Sequence, residues 1–379
     1  MILTIAQAIL GIRVFKRLLY TTGGERIQPV RIDREALAAD RVAIIVPVLN
    51  EYKRLAPCLE GLIAQGITVA EILVVDGGST DGTQDLVRLY GQRDPRIRLI
   101  DASPIAPAWN GKVWGLQKGL DAVNPDCDWI LTIDADVQPA AALAETLVMQ
   151  ARKRSLAALS IATLQKVEDS AQGLLHPSLL TTLVYRFGIP GNAIRKINAV
   201  QANGQCFLLR RDVLEKSGGF TIARDSVCED ITVARALVSA GYTIGFYEAG
   251  ELVTTKMYEN WRDAWRNWTR SLPMHDQFSG SNTLPGWLEI LLVQALPLPL
   301  LLLLSLSKSP FRVARFLNGV LVMMRLGVLV GTTRAYQRRP WSYWFSPLCD
   351  LPVAIQLGIS ALRRRHTWRG RTFIRGGLS

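Results

Sequence analysis

From Arg41 to Val137, short apolar runs alternate with amphipathic stretches. Val42-Ala43-Ile44-Ile45-Val46-Pro47 carries no polar side chain and predicts a buried strand. Val48-Leu49-Asn50-Glu51 then leads into a segment with Leu55, Leu59, Leu62 and Ile63 on one helical face. Glu71 to Val75 predicts a second strand, Gln84 to Tyr90 a helix, and Ile97 to Ile100 a short third strand. Residues 113 to 123 read as helical, and Trp129 to Ile133, with four apolar residues in five, reads as a further buried strand. Strand alternating with helix predicts a mostly parallel sheet covered by crossover helices, an α/β fold. Beyond it, Ala157 to Ile161 is β-like and Leu174 to Phe187 is mixed and partly apolar. Gln201 to Leu209, which includes Gln205, predicts a buried strand. Arg210 to Leu214 opens a helix, and Gly218-Gly219-Phe220 marks a tight turn.

The two ends follow another pattern. Met1 to Tyr20 starts apolar and then carries Arg13, Lys16 and Arg17. The uncharged run is short for a bilayer span of about 20 residues. Its charges follow the apolar part, whereas in a secretory signal they precede it. An anchoring or interfacial helix over 1–20 is expected, then a polar linker over 21–40. Trp261, Trp265 and Trp268 recur at helical spacing, with Arg262, Arg266 and Arg270 on an adjacent face, as in a helix lying at a membrane surface. From Trp287 three apolar runs follow, at 287–306, 316–330 and 341–362. The second is interrupted by Arg325, and the third by Pro347, Asp350 and Pro352. A mid-segment Asp is costly in lipid, so the third run is expected to be interfacial or re-entrant, leaving one transmembrane hairpin over 287–331. The tail holds Arg363, Arg364, Arg365, Arg369, Arg371 and Arg375, which places it on the cytoplasmic side. The expected organisation is thus a catalytic domain over 41–275 and a membrane region over 276–379, in a plasma or inner membrane with the catalytic domain and tail cytoplasmic.

Charge sharpens the choice of partner. The chain of 379 residues has a formal net charge of +12 and a pI near 9.7, and 49 % of it is hydrophobic. Arg and Trp concentrated beside long apolar runs favour an anionic membrane surface over nucleic acid. Five scattered cysteines form no C-x-x-C pair, and three histidines argue against a His-based metal centre.

Candidate chemistry falls at the strand ends. Asn50 and Glu51 follow the first strand, and Asp76 closes the second with glycines behind it. An acid in that position suits nucleotide hydroxyls or base. Asp134 and Asp136 follow the Trp129 strand at i and i+2. Two close carboxylates repel unless a hard cation, Mg²⁺ or Mn²⁺, sits between them, and such a cation suits phosphates. Neither G-x-G-x-x-G nor a P-loop motif occurs, so neither of those nucleotide folds is supported.

Val-Pro-Val-Leu-Asn-Glu (46–51), Val-Val-Asp-Gly-Gly-Ser-Thr-Asp-Gly-Thr (74–83), Asn-Gly-Lys (110–112) and Asp-Ala-Asp (134–136) occur in that order. Together they resemble the family 2 glycosyltransferases, enzymes of GT-A fold that use a nucleotide-diphosphate sugar, over roughly residues 41 to 275. The resemblance implies that Pro47, Asn50, Glu51 and Asp76 line the nucleoside pocket and that Lys112 lies near the nucleotide. It implies that Asp134 and Asp136 hold a metal on the diphosphate, with Asp136 the more direct ligand. Glu229-Asp230 resembles the family's Glu-Asp motif and implies Asp230 as the base of an inverting transfer, with Glu229 in support. Gln205, Arg262, Arg266 and Trp268 are the expected contacts to acceptor or pyrophosphate. Gly77 departs from the family, which often has a second Asp there, and the Arg262–Arg270 segment departs from its Q/R-x-x-R-W spelling. The tail, Trp368-Arg369-Gly370-Arg371-Thr372-Phe373, resembles that of ceramide glucosyltransferase-like and hopanoid- or carotenoid-associated glycosyltransferases, with Phe373 replacing Tyr. The implied reaction moves one sugar to a hydroxyl of a membrane lipid. A polyprenyl-phosphate sugar transferase and a polysaccharide synthase are the rival readings.

Overall fold

The structure is a computed structural model that describes residues 1–29, 40–226, 228–271, 283–306, 311–362, 365–368 and 371–374. Residues 30–39 of the linker expected over 21–40, the boundary at 275/276 and the tail residues Arg363, Arg364, Arg369 and Arg375 lie outside the described residues. The chain forms two compact units. One comprises Gly23–Lys166 and Pro190–Met257; the other comprises Met1–Thr22, Val167–Ile189 and Tyr258–Ser379.

The first unit is built on an eight-stranded sheet. In chain order its strands are β1 (Val42–Val48), β2 (Val69–Asp76), β3 (Ile97–Asp101), β4 (Trp129–Ile133), β6 (Ala158–Ala162), β8 (Asn192–Ile194), β9 (Cys206–Arg210) and β10 (Ile244–Glu248). The spatial order is β3-β2-β1-β4-β9-β6-β10-β8. β1 pairs in parallel with both β2 and β4, and β2 with β3, as the apolar runs predict. β9 runs antiparallel to β4 and β6, so the sheet is mixed. Both faces are covered. Leu55, Leu59 and Leu62 of helix Tyr52–Ile63 join Ile44, Val46 and Leu131 in one apolar cluster. Val113, Leu116 and Leu120 of helix Gly111–Asp121 join Ile45, Val75 and Ile130 in the other.

A smaller sheet holds β5 (Val137–Pro139), β7 (Leu164–Lys166) and β11 (Val253–Thr255). β11 pairs antiparallel with β5 and in parallel with β7. The chain therefore turns at 134–136 and enters a second sheet.

The second unit is helical, and its segments are far apart in sequence. Val14 and Leu18 of helix Ile2–Thr21, Val184 and Tyr185 of helix Ser170–Phe187, Val293, Leu321 and Val328 share one core. Residues 170–187 thus group with the chain ends, and the contiguous domain expected over 41–275 is interrupted there. Buried positions recur all round that helix, which accounts for its mixed apolar reading. Arg325 and Asp350, read as interruptions of two apolar runs, form a buried pair: Nε–Oδ2 is 2.8 Å and Nη2–Oδ1 is 3.1 Å. Ser178 Oγ and Gln294 Nε2 donate to Asp350 Oδ1 at 2.6 and 2.9 Å. Paired in this way, Asp350 no longer disqualifies the third run. By length and composition, Arg312–Ala335 and Trp341–Leu362 can each cross a membrane, while Thr283–Ala295 and Pro297–Leu306 form a pair bent by 43°. Among the described residues the candidate spans therefore number two, or three if the bent pair is one span, against the single hairpin expected over 287–331.

Large exposed apolar side chains are divided unequally. Among the described residues, all except Tyr52, Ile67 and Leu89 belong to the helical unit, from Ile2 and Phe15 to Phe345 and Leu362. The tail segments Arg365–Trp368 and Arg371–Ile374 pair as an antiparallel ribbon.

Candidate active site

Asp76 is fully buried at the end of β2. Its Oδ2 accepts from Gly78 N at 3.0 Å, Ser79 N at 2.9 Å and Gln84 Nε2 at 2.7 Å. Its Oδ1 is buried without a hydrogen-bond partner. A buried acceptor left unmatched is costly, and a ligand N–H or O–H would satisfy it. The polar residues after Gly78 lace this turn to the end of β1. Ser79 Oγ accepts from Asn50 N (2.8 Å), Thr83 Oγ1 from Glu51 N (2.9 Å) and Asp81 Oδ2 from Tyr52 N (3.1 Å), while Asn50 Oδ1 accepts from Thr80 N (2.9 Å). Asn50 adopts φ +55°, a left-handed conformation that asparagine tolerates better than most residues. Glu51 Oε2 pairs with Arg54 Nη2 at 3.0 Å. Pro47 is half-buried on β1. Gly77 has room for a larger side chain, because an added Cβ would meet nothing closer than 3.6 Å.

Asp134 and Asp136 lie in the turn between β4 and β5, each side anchored by the backbone. Asp134 N donates to Gln205 O at 3.2 Å, and Val137 N donates to Asp134 O at 3.1 Å. Asp136 Oδ1 is shut off from solvent without a hydrogen-bond partner. Burial and then the charge of Asp134 push the Asp136 carboxyl up to about 7. Asp134 Oδ1 instead contacts Lys112 Nζ at 2.7 Å. Among the described residues no group of three His, Cys, Asp or Glu is placed to hold a metal. Two carboxylates, one with an orphaned oxygen, still fit an ion that takes its remaining ligands from phosphates and water.

Lys112 lies in the first turn of helix Gly111–Asp121, where Asn110 Oδ1 caps the helix by accepting from Lys112 N at 2.9 Å. Its ammonium also contacts Glu229 Oε1 at 2.6 Å. Burial works against its charge, but Asp134 and Glu229 outweigh that and hold Lys112 above the usual lysine range. Glu229 and Asp230 open helix Glu229–Ser239. Asp230 Oδ2 accepts from Gly204 N at 2.7 Å and Oδ1 from Ile231 N at 2.8 Å. Burial first, and then Glu229, push Asp230 up to about 7. Asp134, Lys112, Glu229 and Asp230 therefore form one continuous cluster, although residues 112, 134 and 229 are far apart in sequence.

Other expected contacts fall elsewhere. Gln205 is buried and its amide is engaged internally: Oε1 accepts from Thr163 Oγ1 (2.7 Å) and Asn203 Nδ2 (3.2 Å), and Nε2 donates to Thr255 Oγ1 (3.3 Å). It braces the turn that carries the two aspartates. Trp268 is fully buried in the helical unit and not on the exposed face expected of a membrane-surface tryptophan. Arg262 and Arg266 are exposed on helix Trp261–Ser271, with Arg262 over the Trp261 ring at 5.3 Å. Gly204 was missed by sequence reasoning. A Cβ there would lie 2.8 Å from Glu229 Oε1, 3.1 Å from Lys112 Nζ and 3.4 Å from Asp230 Cβ. The signal was a glycine inside a strand pattern, which marks close approach.

Residues 43–218 match glycosyl transferase family 2. Among curated proteins the chain is 24 % identical over 232 residues to the probable glycosyltransferase YdaM of Bacillus subtilis, covering 61 % of this chain and 54 % of that protein. It is 25 % identical over 238 residues to the 4,4'-diaponeurosporenoate glycosyltransferase of Staphylococcus aureus, covering 61 % and 60 %. The chain thus spans little more than half the length of these relatives. Among solved structures, the mannosyltransferase PcManGT of Pyrobaculum calidifontis, in complex with GDP-Man and Mn²⁺, aligns with a TM-score of 0.50 at 18 % identity, over 92 % of this chain and 99 % of that one. That likeness establishes the fold, GT-A. With the sheet order, the ordered motifs and the family match in agreement, this chain carries a glycosyltransferase domain of family 2, spanning residues 43–218.

Proposed function

We propose that this protein transfers one sugar from a nucleotide-diphosphate donor to a hydroxyl of a membrane lipid, with inversion at the anomeric carbon. The observation that carries the reading is the single ammonium of Lys112 between Asp134, on the donor side, and Glu229, beside the base Asp230. The acids proposed for donor and acceptor chemistry thereby meet on one lysine. Asp76 offers its unpaired Oδ1 to the nucleoside, supported by Pro47, Asn50 and Glu51. Asp136 and Asp134 would hold Mg²⁺ or Mn²⁺, which when bound neutralises the departing diphosphate.

Asp230 takes the proton of the acceptor hydroxyl. The hydroxyl oxygen bonds to the anomeric carbon as the carbon–oxygen bond to diphosphate breaks. A carboxyl raised to about 7 suits that work at neutral pH, because proton affinity near the operating pH favours general-base action. Gly204 N and Ile231 N fix the direction in which it faces.

The apolar exterior of the helical unit supports the lipid acceptor, since patches of this extent on a protein mark a lipid or partner surface. The relative from Staphylococcus aureus is named for 4,4'-diaponeurosporenoate, and a carotenoid, hopanoid or ceramide-like lipid is the proposed acceptor class here. Arg262 and Arg266 are proposed to meet anionic headgroups, with the catalytic domain and the arginine-rich tail on the cytoplasmic side.

The test incubates purified protein and membranes with a panel of labelled nucleotide sugars, then extracts and fractionates the lipids. Label in a neutral glycolipid is expected. Label confined to polyprenyl phosphates or to polymer would replace this reading with one of the rivals.

A further inference from the structure

The side chain of Lys112 touches both Asp134 and Glu229, and its geometry suggests more than nucleotide contact. Its Nζ lies 2.7 Å from Asp134 Oδ1 and 2.6 Å from Glu229 Oε1, with the side chain about one-fifth exposed. These are contact distances for charge-assisted hydrogen bonds. The lysine therefore occupies coordination space on Asp134 that a divalent ion would need. Asp136, the other acid of the turn, keeps an unmatched buried Oδ1. The ammonium also starts from the N-terminal turn of helix Gly111–Asp121, where the helix dipole favours phosphate.

We propose that Lys112 is a built-in stand-in for the metal: it neutralises Asp134 and Glu229 while no donor is bound, and moves to the donor's diphosphate when a divalent ion takes Asp134. This rests on the reading of Asp134 and Asp136 as metal-holding residues. Metal alone binds weakly, because it must evict an ammonium that has nowhere better to go. Metal with a nucleoside diphosphate binds well, because the diphosphate receives that ammonium. Departure of Lys112 also releases Glu229, so that the environment of Asp230 changes only when donor and metal are both in place. Metal and donor thus bind as a linked pair, and linkage is reciprocal.

The experiment titrates Mn²⁺ calorimetrically into the full-length protein in detergent, with and without saturating UDP or GDP. The panel comprises wild type, Lys112→Met, Lys112→Arg, Gly204→Ala and Asp136→Asn. Lys112→Met should bind Mn²⁺ alone at least tenfold more tightly than wild type, and the gain in metal affinity given by the nucleotide should shrink by at least tenfold. Lys112→Arg keeps the charge and should retain weak binding of metal alone. Gly204→Ala keeps the lysine but intrudes on the pair, its Cβ 2.8 Å from Glu229 Oε1, and should strengthen binding of metal alone even if Lys112→Met fails to fold. Unchanged binding of metal alone in Lys112→Met and Gly204→Ala, with binding lost in Asp136→Asn, would overturn the stand-in role and leave the metal site intact. Wild-type Mn²⁺ binding in Asp136→Asn would overturn the metal site itself, and the proposal with it.

Discussion

Asp230→Asn is the substitution that most directly tests the chemistry. It keeps size and shape and removes the proton acceptor. Both carboxylate oxygens face backbone donors, Gly204 N at 2.7 Å and Ile231 N at 2.8 Å. The amide can present oxygen to only one of them, so one N–H loses its acceptor, a cost of about 1–3 kcal/mol. Against this, the amide is free of the repulsion from Glu229 that helps push Asp230 to about 7. The two effects oppose each other, and the melting temperature should move by only a few degrees. The catalytic loss should be far larger: about 10²–10⁴-fold in kcat for a positioned base, or about 3–5 kcal/mol of barrier. The pH profile adds an independent check. A carboxyl raised from 3.8 to about 7 is protonated in the fold over a range in which it is ionised in the unfolded chain. Its contribution to stability is therefore full below about 4 and declines as pH rises towards 7. Activity runs the other way, because the base must be ionised, and should climb through about pH 7. The assay measures kcat against pH with saturating labelled donor and extracted lipid product, alongside nucleotide binding by calorimetry. Wild type should show the rising limb, and Asp230→Asn should lose it together with its turnover while donor affinity stays near normal. An Asn variant within a factor of three of wild type at pH 7 would remove Asp230 from the role of base.

Three further outcomes concern the metal, the buried ion pair and the tail. Protons and metal compete for Asp136, also raised to about 7, so Mn²⁺ should raise the melting temperature more at pH 8 than at pH 5.5; saturation at a hundredfold excess over Kd is worth about 2.7 kcal/mol, and equal shifts at both pH values would exclude this competition. Arg325→Met leaves Asp350 without its charge partner and should cost about 3–5 kcal/mol, whereas the double variant Arg325→Met/Asp350→Leu should recover most of that; thermal melting in detergent reads both, and a double variant no better than the single one would refute the pairing argument. A single cysteine at Thr367, in an otherwise cysteine-free protein, should stay protected from an impermeant thiol reagent in intact cells and react once they are permeabilised; labelling from outside would put the tail on the other side.

Much of the sheet unit was legible in the chain because buried parallel strands are uniformly apolar and short. β1, β2 and β4 declare themselves, and the polar groups at their ends follow. The acids 76, 134, 136, 229 and 230 were legible as types at strand and helix ends. Their pairing was not: that Lys112 joins Asp134 to Glu229 depends on β4 and β9 lying side by side in antiparallel register, a long-range fact with no local signal. Gln205 illustrates the converse. It was expected to contact acceptor or pyrophosphate, and within the fold its amide is taken up by Thr163, Asn203 and Thr255 through one donated and two accepted bonds. The amphipathic spacing of Trp261, Trp265 and Trp268 defined a helix correctly, but periodicity does not say what covers its apolar face, and Trp268 is covered by protein. Asp350 misled in the same way, because its partner Arg325 lies on another helix.

The helical unit draws on three stretches of chain, with residues 23–166 and 190–257 intervening. This has a consequence for biosynthesis. Helix Ile2–Thr21 emerges long before the side chains that complete its core, Val293, Leu321 and Val328. Until then its apolar side must be covered by something else, and a bilayer or a chaperone is suited to that. Contacts so distant in sequence also delay assembly, since loop closure precedes their reward. A fragment ending at Met257 would keep every strand of the catalytic sheet but strand two helices without their partners. Simple truncation is therefore a route to aggregated material. A soluble catalytic core would need residues 1–22 removed and residues 167–189 replaced by a short polar bridge.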